Sequence, residues 1–275
     1  MVKRCIEKMS DRQKNIHYAM SGFMAGTIQT SAIMPLKTTL NYQYTNGTST
    51  ESAIMRLYKT GGIRRFYKGF APAVLLNSIS RFGETYINTT IMQQTELPLY
   101  QQTALSSILT AGYRSLLMPL DVVKTNFQVK GDAAMKNIRK QMKKRGIYYL
   151  WNGTVPQCTA TMVGHFPWYF TYNYLNNITS CCNLYSYELI KQGMIGFTAS
   201  FSADVFVNGF KVLKTTRQTV LPDASYREVF MTILKNEGIL GFYRGFKTKI
   251  LINGCNGMLF SVFWKIFKDN IGNNI

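Results

Sequence analysis

Negative charge is scarce in this chain. Thirteen Asp and Glu stand against 32 Lys and Arg over 275 residues, for a formal net charge of +19. Histidine occurs twice. None of the five cysteines (Cys5, Cys158, Cys181, Cys182, Cys255) forms a C-x-x-C pair or has a histidine at zinc-binding spacing, so neither a metal site nor a disulfide framework is expected. A Walker A loop, carboxylates paired at catalytic spacing and a nucleophile elbow are all missing, which argues against an enzyme and against a cofactor. Met1 to Lys14 is mixed and charged, without an apolar stretch of signal-peptide type, so any targeting information is expected to be internal. Unbroken apolar runs are scarce too: hydrophobic residues make up 46%, but Ser, Thr, Asn and Tyr interrupt them.

A chain this basic can bind nucleic acid by counterion release. Against that reading, charged residues are only 16%, and long stretches carry no charge. Asn15 to Leu36 is one, with His17 counted as neutral, and Thr154 to Tyr187, which contains His165, is another. Both reach the roughly 20 residues needed to cross a bilayer, and Leu97 to Tyr113 comes close. Polar residues scattered through such segments suit helices whose inner face lines a wet cavity. No nucleic-acid partner is therefore expected.

The chain also repeats itself, which fixes the architecture before any local reading. One half of the repeat is clearest at Pro119-Leu120-Asp121-Val122-Val123-Lys124, and recurs in weaker form from Pro35 to Leu40 and from Gly209 to Lys214. The other half is clearest from Glu237 to Gly245, and recurs from Gly61 to Gly69 and from Arg145 to Gly153. The closing glycines Gly69, Gly153 and Gly245 are 84 and 92 residues apart.

The pattern P-x-[D/E]-x-x-[K/R], followed by [D/E]-G-x-x-x-x-[aromatic]-[K/R]-G, resembles the signature of the mitochondrial carrier family, as a divergent member. The resemblance covers the whole chain. It implies an all-α membrane protein with six transmembrane helices in three pseudo-threefold repeats, each with a short amphipathic helix on the matrix side. It also implies exchange of a small anionic metabolite across the mitochondrial inner membrane, by a monomer. The repeats are expected at 1–97, 98–183 and 184–275, with helices at about 15–43, 70–93, 99–129, 154–180, 187–219 and 247–270. Amphipathic stretches lie at Glu51 to Thr60, Asp132 to Lys144 and Ser225 to Asn236. Mixed apolar and basic faces suit the membrane interface, where cardiolipin headgroups are candidate partners. Gly22 with Gly26, and Gly196 with Ser200, are small-residue pairs of the kind that allow close helix packing.

Proline inside a helix removes a hydrogen bond and bends it, so Pro35 and Pro119 predict kinks at the matrix gate, while Gly209 permits one. In the resembled family the acid of each motif pairs with the base of the next. Carried over, Asp121 can pair with Lys214, Lys37 stands opposite Lys124 in repulsion, and Lys211 stands opposite Leu40 with no pair. At most one of three ion pairs survives, so the balance between the two access states is expected to rest more on apolar packing. At the cytosolic gate the family's carboxylates are replaced. Asn88-Thr89 with Met92, Tyr172-Asn173 with Asn176, and Trp264-Lys265 with Lys268 stand there.

Family contact points fall seven or eight residues after each closing glycine: Leu76 and Asn77, Ala160 and Thr161, Ile252 and Asn253. One turn on are Arg81, His165 and Gly257, on the same helix faces. Five residues before the kinks are Thr30, Arg114 and Asp204. Arg81, Arg114 and Asp204 are the charges expected in the cavity, since ionisable groups in membrane helices are functional candidates. Two structural alternatives stand beside that reading: a bridge between Arg114 and Asp204, and a pair between Arg81 and Glu84 on one helix. Trp168 and Tyr172 can stack on a base. In the family, Ala160-Thr161 lies nearer the pair of adenine-nucleotide carriers than the polar pair of amino-acid and keto-acid carriers. A nucleotide or related phosphorylated anion is the expected substrate, with a carboxylate, an amino acid or a leak as the alternative.

Overall fold

A computed structural model describes residues 29–94, 98–178 and 185–256. These residues are helical, with no strand among them. The chain forms α1 (29–46), α2 (Thr50–Phe66), α3 (Phe70–Gln94), α4 (Leu99–Leu116), α5 (Met118–Lys130), α6 (Ala134–Arg145), α7 (Thr154–Ile178), α8 (Tyr185–Thr219), α9 (Tyr226–Glu237) and α10 (246–256). The pseudo-repeat is visible in this order. A long helix leads to a short one, which leads through a tight turn to the next long helix: α1–α2–α3, then α4/α5–α6–α7, then α8–α9–α10.

The expected third helix is interrupted at Leu117, where α4 ends and α5 begins, two residues before Pro119. Pro119 sits in the first turn of α5, where a missing N–H costs nothing. The helices containing Pro35 and Gly209 run on without interruption. α2 bends at Gly61–Gly62, where Gly62 has φ 58°. α9 begins in a capping box, in which the Ser225 side chain accepts from the Glu228 amide and Glu228 accepts from the Ser225 amide. Such a cap is worth about 1 kcal/mol.

Each repeat closes on the next through its last glycine. Gly69, Gly153 and Gly245 have φ of 82°, 93° and 69°. A Cβ at Gly69 would meet Phe127 Cβ on α5 at 2.9 Å, one at Gly153 would meet Lys214 Cγ on α8 at 2.7 Å, and one at Gly245 would meet Leu40 Cδ1 on α1 at 2.7 Å. Handedness and close approach both demand glycine there, which is why this residue ends the motif in all three repeats. Gly83 against Tyr113 and Gly164 against Val207 are further close crossings. Gly196 is not one, since a Cβ there meets nothing within 4 Å, so the Gly196–Ser200 pair does not mediate helix packing among the described residues. Gly22 and Gly26 lie outside them.

Apolar packing is concentrated at the end carrying the short helices. Ile33, Leu40 and Tyr44 of α1 pack with Val212 of α8, Val229 and Ile233 of α9, and Ile252 of α10. Met118 and Val122 of α5 pack with Ile138 of α6 and with Tyr149. Burial of one such aliphatic side chain contributes about 1.5–3 kcal/mol.

Elsewhere the polarity is inverted. Thr30, Ser106, Ser107, Thr110, Thr161, Asp204 and Asn208 are buried, while Phe82 and Tyr86 of α3 and Phe166, Phe170 and Tyr174 of α7 are exposed. On α7 these rings follow one another every four residues and stack along one outer stripe. Among the described residues no helix is long and apolar enough by hydropathy to cross a membrane. α7 corrects the expectation drawn from the charge-free stretch: its 25 residues reach about 37 Å, but its inward polar face dilutes the hydropathy.

Candidate functional site

Two adjoining cavities run between the long helices. The larger, 490 Å³, is lined by Arg81 and Glu84 of α3, Arg114 of α4, Thr161, His165, Trp168 and Tyr169 of α7, and Asp204 of α8, among others. The smaller, 260 Å³, lies between α1, α3, α4, α5, α7, α8 and α10, and Lys37, Lys124, Lys211, Lys214 and Lys249 line it together with Asp121. Arg114, Gln157 and Lys211 line both. Across the two, seven cationic side chains (Lys37, Arg81, Arg114, Lys124, Lys211, Lys214, Lys249) meet three carboxylates, Glu84, Asp121 and Asp204.

All three carboxylates are engaged. Arg114 binds Glu84 of the neighbouring helix at 2.6 Å. Both structural alternatives drawn from the sequence are thereby corrected: Arg114 does not bridge to Asp204, and Glu84 is taken by Arg114 rather than Arg81. The reason is topological, since α3 and α4 pack side by side and bring Glu84 within reach of α4. Asp204 accepts from Lys211, two turns on along the same face of α8, at 3.3 Å and from Asn253 Nδ2 at 2.6 Å, with Lys249 at 4.0 Å. Asp121 meets Lys214 at 2.7 Å and Lys124 on its own helix at 3.0 Å. Lys37 and Arg81 have no ion pair within 4 Å among the described residues.

Of the three ion pairs considered in the sequence, Asp121 with Lys214 is present across helices, and Lys124 turns to Asp121 on its own helix. Lys211 does not stand idle opposite Leu40, because Asp204 holds it. Beyond this level, hydrogen bonds join the helices beside the apolar packing. The Asn41 amide donates to Gln128, Tyr44 donates to Asn208 at 3.0 Å, Thr45 and Thr219 share a hydrogen bond of 3.1 Å, and Gln218 donates to Asp121 at 3.3 Å and to the Asn152 carbonyl at 2.9 Å. These amides and hydroxyls tie α1, α5 and α8 together below the lysines. Tyr44, Gln128 and Gln218 each stand nine residues after Pro35, Pro119 and Gly209. That spacing was the available signal for a second gate layer.

The contact points divide. Ala160 and Thr161 line the larger cavity and Asn77 the smaller. Asn77 also donates to Thr30 at 3.0 Å, joining α3 to α1. Asn253 lines neither cavity, and its amide positions Asp204. His165 Nδ1 is 2.6 Å from Ser107 Oγ, and its ring stands edge-on to Tyr169. Trp168 lines the cavity but stacks on Tyr172 at 5.1 Å, so these two rings pair with each other. Pro35 accepts from the Thr39 hydroxyl at 2.9 Å. Asn173 and Asn176 lie on α7 with side chains outside the description. Lys265, Lys268 and Gly257 lie outside the described residues, so the cytosolic gate is an expectation only. Gln157 and Lys249, missed in the sequence, occupy the position four residues after Gly153 and Gly245 and face the lysine cluster, as Ala73 does after Gly69.

Around the short helices, ion pairs join one repeat to the next. Lys68 meets Asp132, and Lys144 and Arg145 meet Asp223 at 2.9 and 2.6 Å. Arg244 pairs with Glu237 and donates to the Tyr44 carbonyl at 3.3 Å. Arg65 donates to the Val129 carbonyl at 2.6 Å.

The sequence model of the family described as mitochondrial carrier protein matches residues 11–93, 95–181 and 185–274. The chain belongs to the mitochondrial carrier protein family. It is 23% identical over 258 residues to mitochondrial thiamine pyrophosphate carrier 1 of Meyerozyma guilliermondii, covering 86% of this chain and 87% of that one. It is 25% identical over 231 residues to the mitochondrial 2-oxodicarboxylate carrier of Mus musculus, covering 76% of each. A mitochondrial S-adenosylmethionine carrier protein of Mus musculus is 29% identical over 140 residues, about half of each chain. Membership makes the protein a carrier-family transporter, and its similar relatives are named for different substrates.

Proposed function

We propose that the chain exchanges nucleotides, or similar phosphorylated anions, across the mitochondrial inner membrane by alternating access. Six spanning segments in three repeats, at 1–97, 98–183 and 184–275, enclose the translocation path. The observation that carries the substrate class is the cavity charge, seven cations to three carboxylates, with Arg81 outside any ion pair among the described residues. A guanidinium fork suits phosphate oxygens. Trp168 and Tyr169 add an aromatic wall beside it. The inverted polarity supports a lipid-facing exterior: exposed rings on α3 and α7 surround buried hydroxyls and charges. One similar relative is named for thiamine pyrophosphate, a phosphorylated compound.

In this reading Arg81, Arg114, Thr161 and His165 face the substrate, with Ala160 giving room. Asn77, Asp204 and Asn253 brace that surface. Pro35, Lys37, Pro119, Asp121, Lys124, Lys211 and Lys214 form the matrix gate, and Asn173, Asn176, Lys265 and Lys268 the cytosolic one. The protein works as a monomer, with cardiolipin against the basic short helices. A second reading, a carboxylate carrier, is favoured by the relative named for 2-oxodicarboxylates. Uptake of labelled ATP by liposomes loaded with ATP, with ADP, inorganic phosphate, 2-oxodicarboxylates and amino acids as competitors, decides between them. Nucleotides are expected to compete best, and inhibition by dicarboxylates alone rejects the nucleotide reading.

A further inference from the structure

Six cationic groups line the smaller cavity: Lys37, Arg114, Lys124, Lys211, Lys214 and Lys249. Their carboxylate partners number three, and each is already shared or spent. Asp121 serves Lys124 and Lys214, Asp204 serves Lys211 and lies 4.0 Å from Lys249, and Glu84 serves Arg114. Three positive charges are left in excess. Of the five lysines here, Lys37 alone has no carboxylate within 4 Å among the described residues. It lies instead in the repulsive field of Lys124, Lys249 and Arg81. Repulsion among partly buried cations is weakly screened. The cavity's 260 Å³ is far above the roughly 10–15 Å³ that a single water needs.

We propose that the smaller cavity binds a phosphoryl anion between Lys37, Lys124 and Lys249, and that this anion supplies the negative charge missing from the gate at position 37. A phosphoryl group fits because it is multiply charged and offers several acceptor oxygens to lysines arriving from different helices. Those lysines come from α1, α5 and α10, one from each repeat, so the anion ties the three repeats together beside the Asp121–Lys214 pair, which links only the second and third. Anion arrival then closes this end, and anion departure releases it. The gating consequence rests on the carrier reading, whereas the binding does not.

The test is thermal unfolding of the purified full chain in detergent. Inorganic phosphate and, separately, ATP are titrated against potassium chloride at matched ionic strength. A ligand that binds the folded state raises the midpoint saturably. The wild-type midpoint is expected to rise. Lys37→Gln weakens half-saturation about tenfold, the equivalent of about 1.4 kcal/mol. If Lys37→Gln does not survive purification, Lys249→Gln gives the same reading. Lys37→Glu, which installs the absent acid, raises the midpoint without any anion and removes the response. A response to phosphate alone marks a free-phosphate site, and a response only to ATP marks a seat for the nucleotide's phosphoryl end; either supports the proposal when Lys37→Glu abolishes it. No response beyond chloride, or a response unchanged by Lys37→Glu, overturns it. A phosphate response in a protein whose ATP uptake resists nucleotide competition keeps this site and rejects the nucleotide reading.

Discussion

Asp121 on α5 reaches Lys214 on α8 at 2.7 Å, with side chains only 10% and 12% exposed. The same carboxylate takes Lys124 and Gln218. One acid is therefore shared by two lysines, leaving one positive charge in excess, and holds two repeats together at the level where the neighbouring repeats bring only positive charge. Its loss leaves two partly buried cations without compensation, and removing one partner of a buried pair costs roughly 3–5 kcal/mol. Asp121→Asn is expected to lower the thermal midpoint by roughly 6 °C or more, at about 2–4 °C per kcal/mol for a chain of this size. A midpoint within 1–2 °C of wild type, on that same scale, rejects the central role given to this carboxylate.

Glycine supplies a second test. Gly153 combines φ 93° with a site where a Cβ would sit 2.7 Å from Lys214 Cγ, whereas Gly146 has φ 68° and open space around it. Alanine at either position carries a left-handed backbone penalty of about 1–2 kcal/mol, but only Gly153→Ala must also push α8 away. Gly153→Ala is expected to lower the midpoint clearly more than Gly146→Ala. Equal losses show that the repeat-closing glycines are required for backbone geometry alone.

The repeat is the part of the architecture most legible in the sequence, because glycine and proline leave marks that survive divergence. The starts of α3, α7 and α9 fall close to expectation for that reason, as does the pairing of Asp121 with Lys214. The pairing of Arg114 with Glu84 was not legible. Spacing along one helix places Arg81 beside Glu84, and only the packing of α3 on α4 brings Arg114 nearer. The amide layer leaves no charge pattern in the sequence, because Asn41, Gln128 and Gln218 are neutral. Hydropathy misled in the other direction: α7 has the length of a spanning segment, yet its Thr161, His165 and Trp168 face the cavity and lower its apolar average.

Charge at the rim gives a pH prediction. Asp223, in the loop between α8 and α9, accepts from Lys144 and Arg145. The hydrogen bond from Lys144, aided by that from Arg145, holds its carboxyl below the ordinary carboxylate range. A carboxyl depressed in the folded state contributes its stabilisation in full above the unfolded value, near 3.9, and loses it as pH falls through the lower folded value. Amide protection in α6, with the intrinsic pH dependence of exchange divided out, is therefore expected to hold above about pH 4 and to fall below it. Asp223→Asn removes that acid-range change, and a wild-type profile retained in Asp223→Asn rejects the assignment.

Arg81 tests the substrate reading without burdening the fold. It lines the larger cavity and is exposed, and no carboxylate pairs with it among the described residues. Arg81→Gln is expected to weaken ATP half-saturation in liposome uptake about tenfold, one charge-assisted contact's worth, while leaving the thermal midpoint within about 1 °C. Arg114→Gln behaves differently, because it strands Glu84 and lowers both. If Arg81→Gln transports with unchanged half-saturation, the phosphate-facing role passes to another cation.

The gate makes the last prediction. A carrier that exchanges strictly must hold its empty form closed to reorientation, and the height of that barrier reflects what each closed end gains. Here one ion pair, Asp121 with Lys214, and a mostly neutral layer of hydrogen bonds close the cavity at the end carrying α2, α6 and α9, with exposed rim pairs from Lys68 to Asp132 and from Lys144 and Arg145 to Asp223 outside them. Neutral hydrogen bonds contribute about 0.5–1.5 kcal/mol each, less than charge-assisted ones. Opening this end without cargo is therefore inexpensive, and the empty protein is expected to return across the membrane. Liposomes loaded with labelled ATP and placed in medium free of substrate should lose label through the protein, at a rate only modestly below that seen with external ATP. Asp121→Asn should raise this unpaired efflux further, since it removes the pair that resists opening. Label retained until external ATP is added would mean that the hydrogen-bonded layer alone suffices to lock the empty carrier.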